Sequence, residues 1–383
     1  MRLTDEHKQI QDTVTQFVAR EMDPYADEWE AEGKFPAHAL FKKMGDLGLL
    51  GIAKPEAYGG LGLDYTYQII FSEAIGATKA AGASMAIGVQ TDMATPALAK
   101  FGSDELREQF LAPAIAGDMV CSIAVSEPHA GSDVAAIRTT ARTDGDDYVI
   151  NGSKMWITTS TQADFLCLLA NTSDGPAHTN KSLIVVPTDS KGFSTSKPLD
   201  KLGMRDSDTA QVFLEDVRVP RRFTIGDPGA GFTYQMMQFQ EERLFAAAGN
   251  LRAMERCIEL TAEYARERKT FGKSILDNQV VQFRLAELQT EIESLRALTY
   301  SAVEDYVAGD DVTTKASMCK LKGGRLLREV TDSCLQYWGG MGYMWDNPVA
   351  RAYRDGRLSS IGGGADEIML GIIVKRMGLG GGR

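Results

Sequence analysis

Histidine is scarce in this chain and cysteine nearly so. The four histidines (His7, His38, His129, His178) and five cysteines (Cys121, Cys167, Cys257, Cys319, Cys334) fall at no metal-ligand spacing, so no metal site is expected. The cysteines are odd in number and include no Cys-x-x-Cys pair, which argues against a disulfide framework and for a reduced compartment. Positive charge is also in deficit: 41 Lys+Arg against 52 Asp+Glu give a net charge of -11. Nucleic acid is therefore disfavoured as the main partner, whereas one phosphorylated ligand needs only a few local donors. No apolar run is long enough to cross a bilayer. The opening Met1-Arg2-Leu3-Thr4-Asp5-Glu6 is acidic and polar, unlike a signal or transit peptide. A cytoplasmic protein without membrane insertion is expected. No Gly-x-Gly-x-x-Gly opens a helix in a βαβ context, so a Rossmann dinucleotide site is not expected either.

What is present is an ordinary globular composition, 44% apolar and 24% charged over 383 residues, enough for two or three packed units. The first third has helical spacing. Ile10, Val14, Phe17 and Val18 follow Thr4, a plausible N-cap. Helices are predicted over 39–50, 67–77 and 95–101, the last with Thr95 as N-cap and Pro96 at its first position. Another is predicted over 103–115, opened by Ser103 and two acidic residues. From Met119 the texture changes to short runs rich in Val, Ile, Leu and aromatics: 120–125, 148–150, 165–169, 183–186 and 211–219. Asp144-Gly145 and Asn151-Gly152 read as hairpin turns. After Gly231 the helical period returns over 243–269, 275–307, 313–337 and 365–377, and the glycines from Gly378 to Gly382 suggest fraying. Segregated helices, strands and helices make an α+β chain. It divides into an N-terminal helical domain (1–118), a compact antiparallel middle β-domain (119–228) and a C-terminal helical domain (229–383).

Several stretches carry candidate chemistry, and each has a bland reading. Ser126-Glu127-Pro128-His129-Ala130-Gly131-Ser132-Asp133 follows a strand and alone reads as a capped turn. In Asn151-Gly152-Ser153-Lys154-Met155-Trp156-Ile157-Thr158 the tryptophan alone reads as core. Arg268-Lys269-Thr270-Phe271-Gly272, followed by Gln279, reads as a basic helix end stopped by glycine. The glycines of Gln336-Tyr337-Trp338-Gly339-Gly340-Met341-Gly342-Tyr343 could merely end a helix. Asp355 and Arg357 read as a structural ion pair. Glu242, with apolar Phe239, Leu244 and Phe245 nearby, alone reads as a surface glutamate paired along its helix.

Together, in this order and across essentially the whole chain, these stretches resemble the acyl-CoA dehydrogenase family, whose loop signature is Thr-Glu-Pro-Gly-Ala-Gly-Ser-Asp. The resemblance implies FAD as cofactor. Val125, Ser126, Gly131 and Ser132 would hold it in the loop, Trp156 would pack on the isoalloxazine, and Thr158 would donate to its reactive edge. Arg268, Thr270, Phe271, Gln279, Gln336 and Gly340 would reach the FAD of a neighbouring subunit, which implies a homotetramer. Ala365 and Glu367 take further cofactor positions, although Ala365 lacks the hydroxyl of the family's threonine. His129 replaces a glycine, and no function is ascribed to it.

The family's usual base is the glutamate of a Tyr-Glu-Gly-Thr segment. Here Ile361-Gly362-Gly363-Gly364-Ala365-Asp366-Glu367 puts Gly363 in its place, and glycine moves no proton. Glu242 stands where the isovaleryl and long-chain branches carry their base, and it is the expected catalytic residue. Glu241 is its decoy, about 100° away around a helix; Glu367 aligns with a polar family position. Ser132, Arg243 and the backbone of Gly363 or Gly364 are expected against the substrate. The resemblance implies α,β-dehydrogenation of a saturated acyl-CoA to the trans-2-enoyl-CoA, with an electron-transfer flavoprotein as acceptor. The runs 338–344, 345–348 and 362–370 resemble citronellyl-CoA dehydrogenases, which implies a 3-methyl-branched, medium-length acyl group. An acyl-CoA oxidase and an inactive acyl-thioester-binding homologue are the alternatives. Oxygen consumption separates the first from a dehydrogenase, and failure of substrate to bleach the flavin favours the second.

Overall fold

Thr4 caps the first helix as its spacing predicts. Its hydroxyl accepts from the His7 amide at 3.4 Å, and the His7 ring accepts from the Thr4 amide at 3.2 Å. The computed structural model describes residues 1–380, and its first third is helical: α1 (Asp5–Phe17), α2 (Ala26–Glu32), α3 (Ala37–Asp46), α4 (Tyr65–Ile75), α5 (Ala81–Gly88), α6 (Thr95–Phe101), α7 (Asp104–Leu106) and α8 (Ala112–Ile115). Two expectations change. Thr95 does not cap α6, because the chain arrives already helical through a π turn over Val89–Ala94; its hydroxyl instead donates back to the Gln90 carbonyl at 2.6 Å. The helix read over 103–115 keeps its Ser103 cap but divides at a π turn over Arg107–Leu111, just ahead of Pro113, which has no N–H to continue the ladder.

The middle of the chain forms one sheet from β1 (Cys121–Ala124), β2 (Thr140–Asp144), β3 (Asp147–Thr158), β4 (Phe165–Asn171), β5 (Lys181–Pro187), β6 (Phe193–Thr195), β7 (Thr209–Pro220) and β8 (Thr224–Ile225). Its order is β6-β7-β3-β2-β4-β5-β8, with β1 also against β4. The hairpin at Asp144-Gly145 forms as read, with Gly145 at φ 62. Asn151-Gly152 is not a turn. It lies inside β3 at a bulge opposite β7, where the Asn151 side chain holds the Asp216 amide at 3.0 Å. Gly152 is required there because a Cβ would lie 2.5 Å from Thr139 Oγ1. The sheet is also not purely antiparallel: β1 runs parallel to β4, and β2 meets its end in parallel. β4 is buried along nearly its whole length, the setting in which parallel pairs occur.

The C-terminal part is built on α9 (Gly231–Glu267), 37 residues and about 55 Å long. It starts a full three turns earlier than its apolar pattern suggests, since buried Gln235 and Gln238 hide the period. A two-strand hairpin, β9 (Lys269–Thr270) and β10 (Lys273–Ser274), leads to α10 (Gln279–Val307), α11 (Thr313–Trp338), α12 (Pro348–Gly356) and α13 (Asp366–Arg376). α9 joins three cores. Phe245 packs with the N-terminal helices and sheet, Leu244, Ala247 and Ala248 with α4 and α10, and Leu251, Met254 and Cys257 with α10 and α11. It crosses α4 closely: a Cβ on Gly76 would sit 2.0 Å from the Gly249 carbonyl.

The expected Asp355–Arg357 ion pair does not form. Residues two apart on a helical path do not face each other. Asp355 accepts from the Met204 amide at 2.5 Å, while Arg357 Nη1 is buried without a hydrogen-bond partner among the described residues. All five cysteines are buried and unpaired. Among the described residues there is no metal-binding cluster and no helix long and apolar enough to cross a membrane. Of the predicted C-terminal glycines, Gly378 turns the chain at φ 71; Gly381 and Gly382 lie outside the described residues.

Candidate active site

The β-domain contributes a rigid wall. Lys154, fully buried on β3, donates to the Val125 carbonyl and to Glu127 Oε1, both at 2.9 Å. Glu127 also accepts from the Arg138 and Thr139 amides at 2.7 and 2.9 Å. Burial pushes the Glu127 carboxyl up, but Lys154 and these donors outweigh it and hold the group below its usual range; burial takes Lys154 down to about 8. A buried pair with its bonds satisfied serves here to fix geometry. The Met155 amide donates to the Ser126 carbonyl at 2.9 Å, so the loop from Val125 to Ser132 is fastened beside β3. His129 reaches the same Glu127 carboxylate at 3.5 Å.

A second bulge in β3, between Lys154 and Ile157, sets Trp156 at φ 60 and leaves it 55% exposed. An indole held outside the core on a rigid strand is a flat apolar platform. Thr158 and Ser126 are half-buried next along the strand and loop, and Gly131 and Ser132 are exposed. A Cβ built on Gly131 meets nothing within 4 Å, so the loop backbone there is open to close approach.

Glu242 lies on α9, half-buried. Its carboxylate makes no hydrogen bond to the described residues, and burial pushes it up to about 7 against the opposing charges of Arg243 and Lys320. The glycine loop converges on it. Gly363 and Gly364 adopt φ 63 and φ 96, a left-handed path that favours glycine. A Cβ on Gly363 would stand 3.1 Å from Glu242 Oε1. The two candidate base positions, remote in sequence, therefore occupy one place. Lys320 of α11, itself buried and lowered by that burial to about 8, donates to the Gly364 carbonyl and holds this loop. Arg243 points inward, with Nη1 3.5 Å from Ser317 Oγ and 3.4 Å from Gln240 Oε1. Glu241 is spoken for: the Tyr306 hydroxyl donates to its carboxylate at 2.5 Å, and its carbonyl lies 3.1 Å from the Tyr65 hydroxyl, whose one proton is directed chiefly to Asp92 Oδ1 at 2.7 Å. One to three turns further along α9, a cavity of ≈ 120 Å³ is lined by Met85, Phe245, Ala246, Gly249, Asn250 and Ala253, among others.

The remaining candidates form a separate, outward-facing group. Arg268, Thr270, Phe271, Gln279, Gln336 and Gly340 are all exposed. Phe271 is fully so at φ 51. The ends of α9 and α11 that carry them are joined where Tyr264 stacks on Trp338 at 4.2 Å. Ala365 precedes α13 and caps it without a side-chain bond, and Glu367 is exposed in its first turn. Sequence reading missed Lys320, Tyr65, Tyr306 and Asp92. Lys320 sits among other lysines of α11 and carries no pattern that marks it out.

The chain matches three family models: the acyl-CoA dehydrogenase N-terminal domain over residues 4–118, the middle domain over 122–217 and the C-terminal domain over 229–378. It is 37% identical over 377 residues to the mitochondrial long-chain specific acyl-CoA dehydrogenase of Rattus norvegicus, covering 98% of this chain and 87% of that protein. It is 35% identical over 369 residues to the mitochondrial 2-methylacyl-CoA dehydrogenase of Solanum tuberosum, covering 96% and 89%. The crystal structure of an acyl-CoA dehydrogenase from Geobacillus kaustophilus superposes with a TM-score of 0.94 at 36% identity, covering 98% of each chain.

Proposed function

The chain belongs to the acyl-CoA dehydrogenase family, and from that premise we propose that Glu242 is the base of an FAD-dependent acyl-CoA α,β-dehydrogenation. One observation carries the reading: a side chain at Gly363 would occupy the place that the Glu242 carboxylate already reaches. The residues of the β-wall fit FAD. Trp156 offers a flat face, Gly131 an open backbone, and Ser126, Ser132 and Thr158 hydroxyl donors beside it. Bound FAD supplies the acceptor for the hydride lost from Cβ. Glu242 takes the proton from Cα. Its raised proton affinity keeps it near neutrality, where a general base works best. Backbone N–H groups of Gly363 or Gly364 donate to the thioester carbonyl and stabilise the negative charge that develops as the proton leaves. Lys320 holds the Gly364 carbonyl at the end of this loop, one peptide beyond the Gly364 N–H. The substrate loses one proton and one hydride, and the Cα–Cβ bond becomes the trans double bond of the enoyl-CoA.

A 3-methyl-branched, medium-length acyl group such as citronellyl is part of this reading. Three successive glycines leave no side chain beside Cα and Cβ, and the cavity past Phe245 offers room for the tail. The exposed Arg268, Phe271, Gln336 and Gly340 suit the FAD of a neighbouring copy, so a homotetramer belongs to the proposal. So do an electron-transfer flavoprotein as acceptor and, from the unpaired cysteines, a cytoplasmic setting. The test is anaerobic mixing of the flavin-loaded enzyme with straight and branched saturated acyl-CoAs. Bleaching is expected, fastest with citronellyl-CoA and abolished by Glu242→Gln. Parental bleaching in Glu242→Gln rejects the base. Equal or faster turnover of octanoyl-CoA rejects the branched-chain preference alone.

A further inference from the structure

The Glu242 carboxylate has no hydrogen bond of its own to the described residues, so its position depends on the backbone that carries it. That backbone is held one residue away. The single proton of the Tyr65 hydroxyl on α4 is shared in a three-centre bond between Asp92 Oδ1 at 2.7 Å and, more weakly, the Glu241 carbonyl at 3.1 Å, which shares a peptide plane with the Glu242 amide. The Tyr306 hydroxyl on α10 donates to the Glu241 carboxylate at 2.5 Å. The two tyrosine rings meet edge to face, centroids 5.1 Å apart. Asp92 is fully buried in the π turn between α5 and α6 and is itself fixed. Gln68 donates to its Oδ2 at 2.9 Å and the Thr91 hydroxyl at 2.6 Å, while Lys54 holds the Thr91 carbonyl at 2.7 Å.

We propose that Tyr65, Tyr306 and Asp92 are positioning residues for Glu242: they clamp the main chain and side chain of Glu241 from two helices and so set where the neighbouring base stands. The inference rests on Glu242 being the base. A carboxylate fixed by its own bonds would lose proton affinity through them. A clamp on the preceding residue fixes the same atom and leaves it free to take a proton.

Tyr300 provides the control. It lies on the same α10 and donates at 2.7 Å to a buried carboxylate of the same α4, Glu73, well away from Glu242. Tyr65→Phe, Tyr306→Phe and Asp92→Asn are compared with Tyr300→Phe for flavin content, thermal stability, substrate dissociation constant and the rate of anaerobic flavin reduction. Amide exchange of α9 around 240–246 is followed in parallel. Tyr65→Phe and Tyr306→Phe should slow flavin reduction roughly tenfold to a hundredfold, with the dissociation constant and flavin content unchanged. They should also speed amide exchange at that turn. Tyr300→Phe should do neither. Parental reduction rates in Tyr65→Phe and Tyr306→Phe overturn the clamp, as does an equal slowing in Tyr300→Phe. If both tyrosine variants fail to fold, Asp92→Asn decides on the same measurements. A parent that no acyl-CoA reduces would reject the proposed function itself, and the clamp with it.

Discussion

Two turns of α9 treat their glutamates in opposite ways. At Glu255, near the middle of the helix, Arg296 and Arg252 both bind the carboxylate, and Arg296 also binds Glu73 at 3.0 Å, whose second oxygen takes the Tyr300 hydroxyl. Burial pushes Glu255 up, yet these bonds outweigh it and hold the group below its ordinary range. At Glu242 burial acts in the same direction, but the nearby cations make no bond to the carboxylate and the group rises to about 7. The same residue type on the same helix is thus held as an anion in one place and left with a raised proton affinity in the other. Bonding, more than burial, decides which.

The contrast can be broken from either side. The largest expected effect is in chemistry: Glu242→Gln should lower the rate of flavin reduction roughly 10²–10⁴-fold. Stability should move the other way. The folded-state affinity of Glu242 for its proton lies above the ordinary value, so its ionisation costs stability as pH rises through about 7. Glu242→Gln should therefore be more stable than the parent at pH 8 and little different near pH 4, as read from denaturant melts. Glu255→Ala should do the reverse, costing about 1–3 kcal/mol of stability through the lost charged bonds, since Arg296 keeps Glu73 and Glu293, while the folded enzyme still reduces its flavin.

Next comes Gly363→Glu, which would set a second carboxylate against the first on a left-handed backbone. It should penalise a 3-methyl substrate over a straight chain of equal length by about 1–3 kcal/mol in kcat/KM. Neighbouring anions should also push the apparent pKa of the pair upward. Ala246→Leu should partly fill the cavity along α9 and disfavour medium-length over short acyl groups, again by about 1–3 kcal/mol. The smallest effect belongs to Lys320→Gln. The amide can still reach the Gly364 carbonyl, but a charge that lowers Glu242 is gone. The ascending limb of the kcat/KM pH profile should move to higher pH, with its plateau retained.

Where local pattern and tertiary packing agree, the sequence was legible. The Thr4 and Ser103 caps, the strands at 165–169 and 183–186, and the long C-terminal helices needed only period and capping chemistry. It misled where backbone geometry depends on a partner strand. Asn151-Gly152 has a turn's composition, but β7 lies opposite and makes it a bulge. Of the site, the resemblance supplied Glu242 and the vacancy at Gly363; no spacing rule joins residues that meet only through a loop after α12. Lys320, Asp92, Tyr65 and Tyr306 were invisible for another reason. Each is a polar group buried by long-range bonds, and a linear pattern records polarity without recording what satisfies it.

With Glu242 on α9 as the proposed base, labour divides between two parts of the site. In a loop that carries the catalytic acid, every change of shape risks the chemistry. Here the turn from Ile361 to Ala365 carries three glycines and an alanine, while the helix that carries Glu242 is packed into three cores. On this reading only Gly362 is free to vary, because the Gly363 and Gly364 N–H groups must keep their place and Lys320 holds the Gly364 carbonyl. Substitutions at Gly362 should reshape substrate preference while the proposed proton acceptor on α9 stays where it is. For anyone remodelling this enzyme, selectivity could then be tuned at that one position apart from turnover.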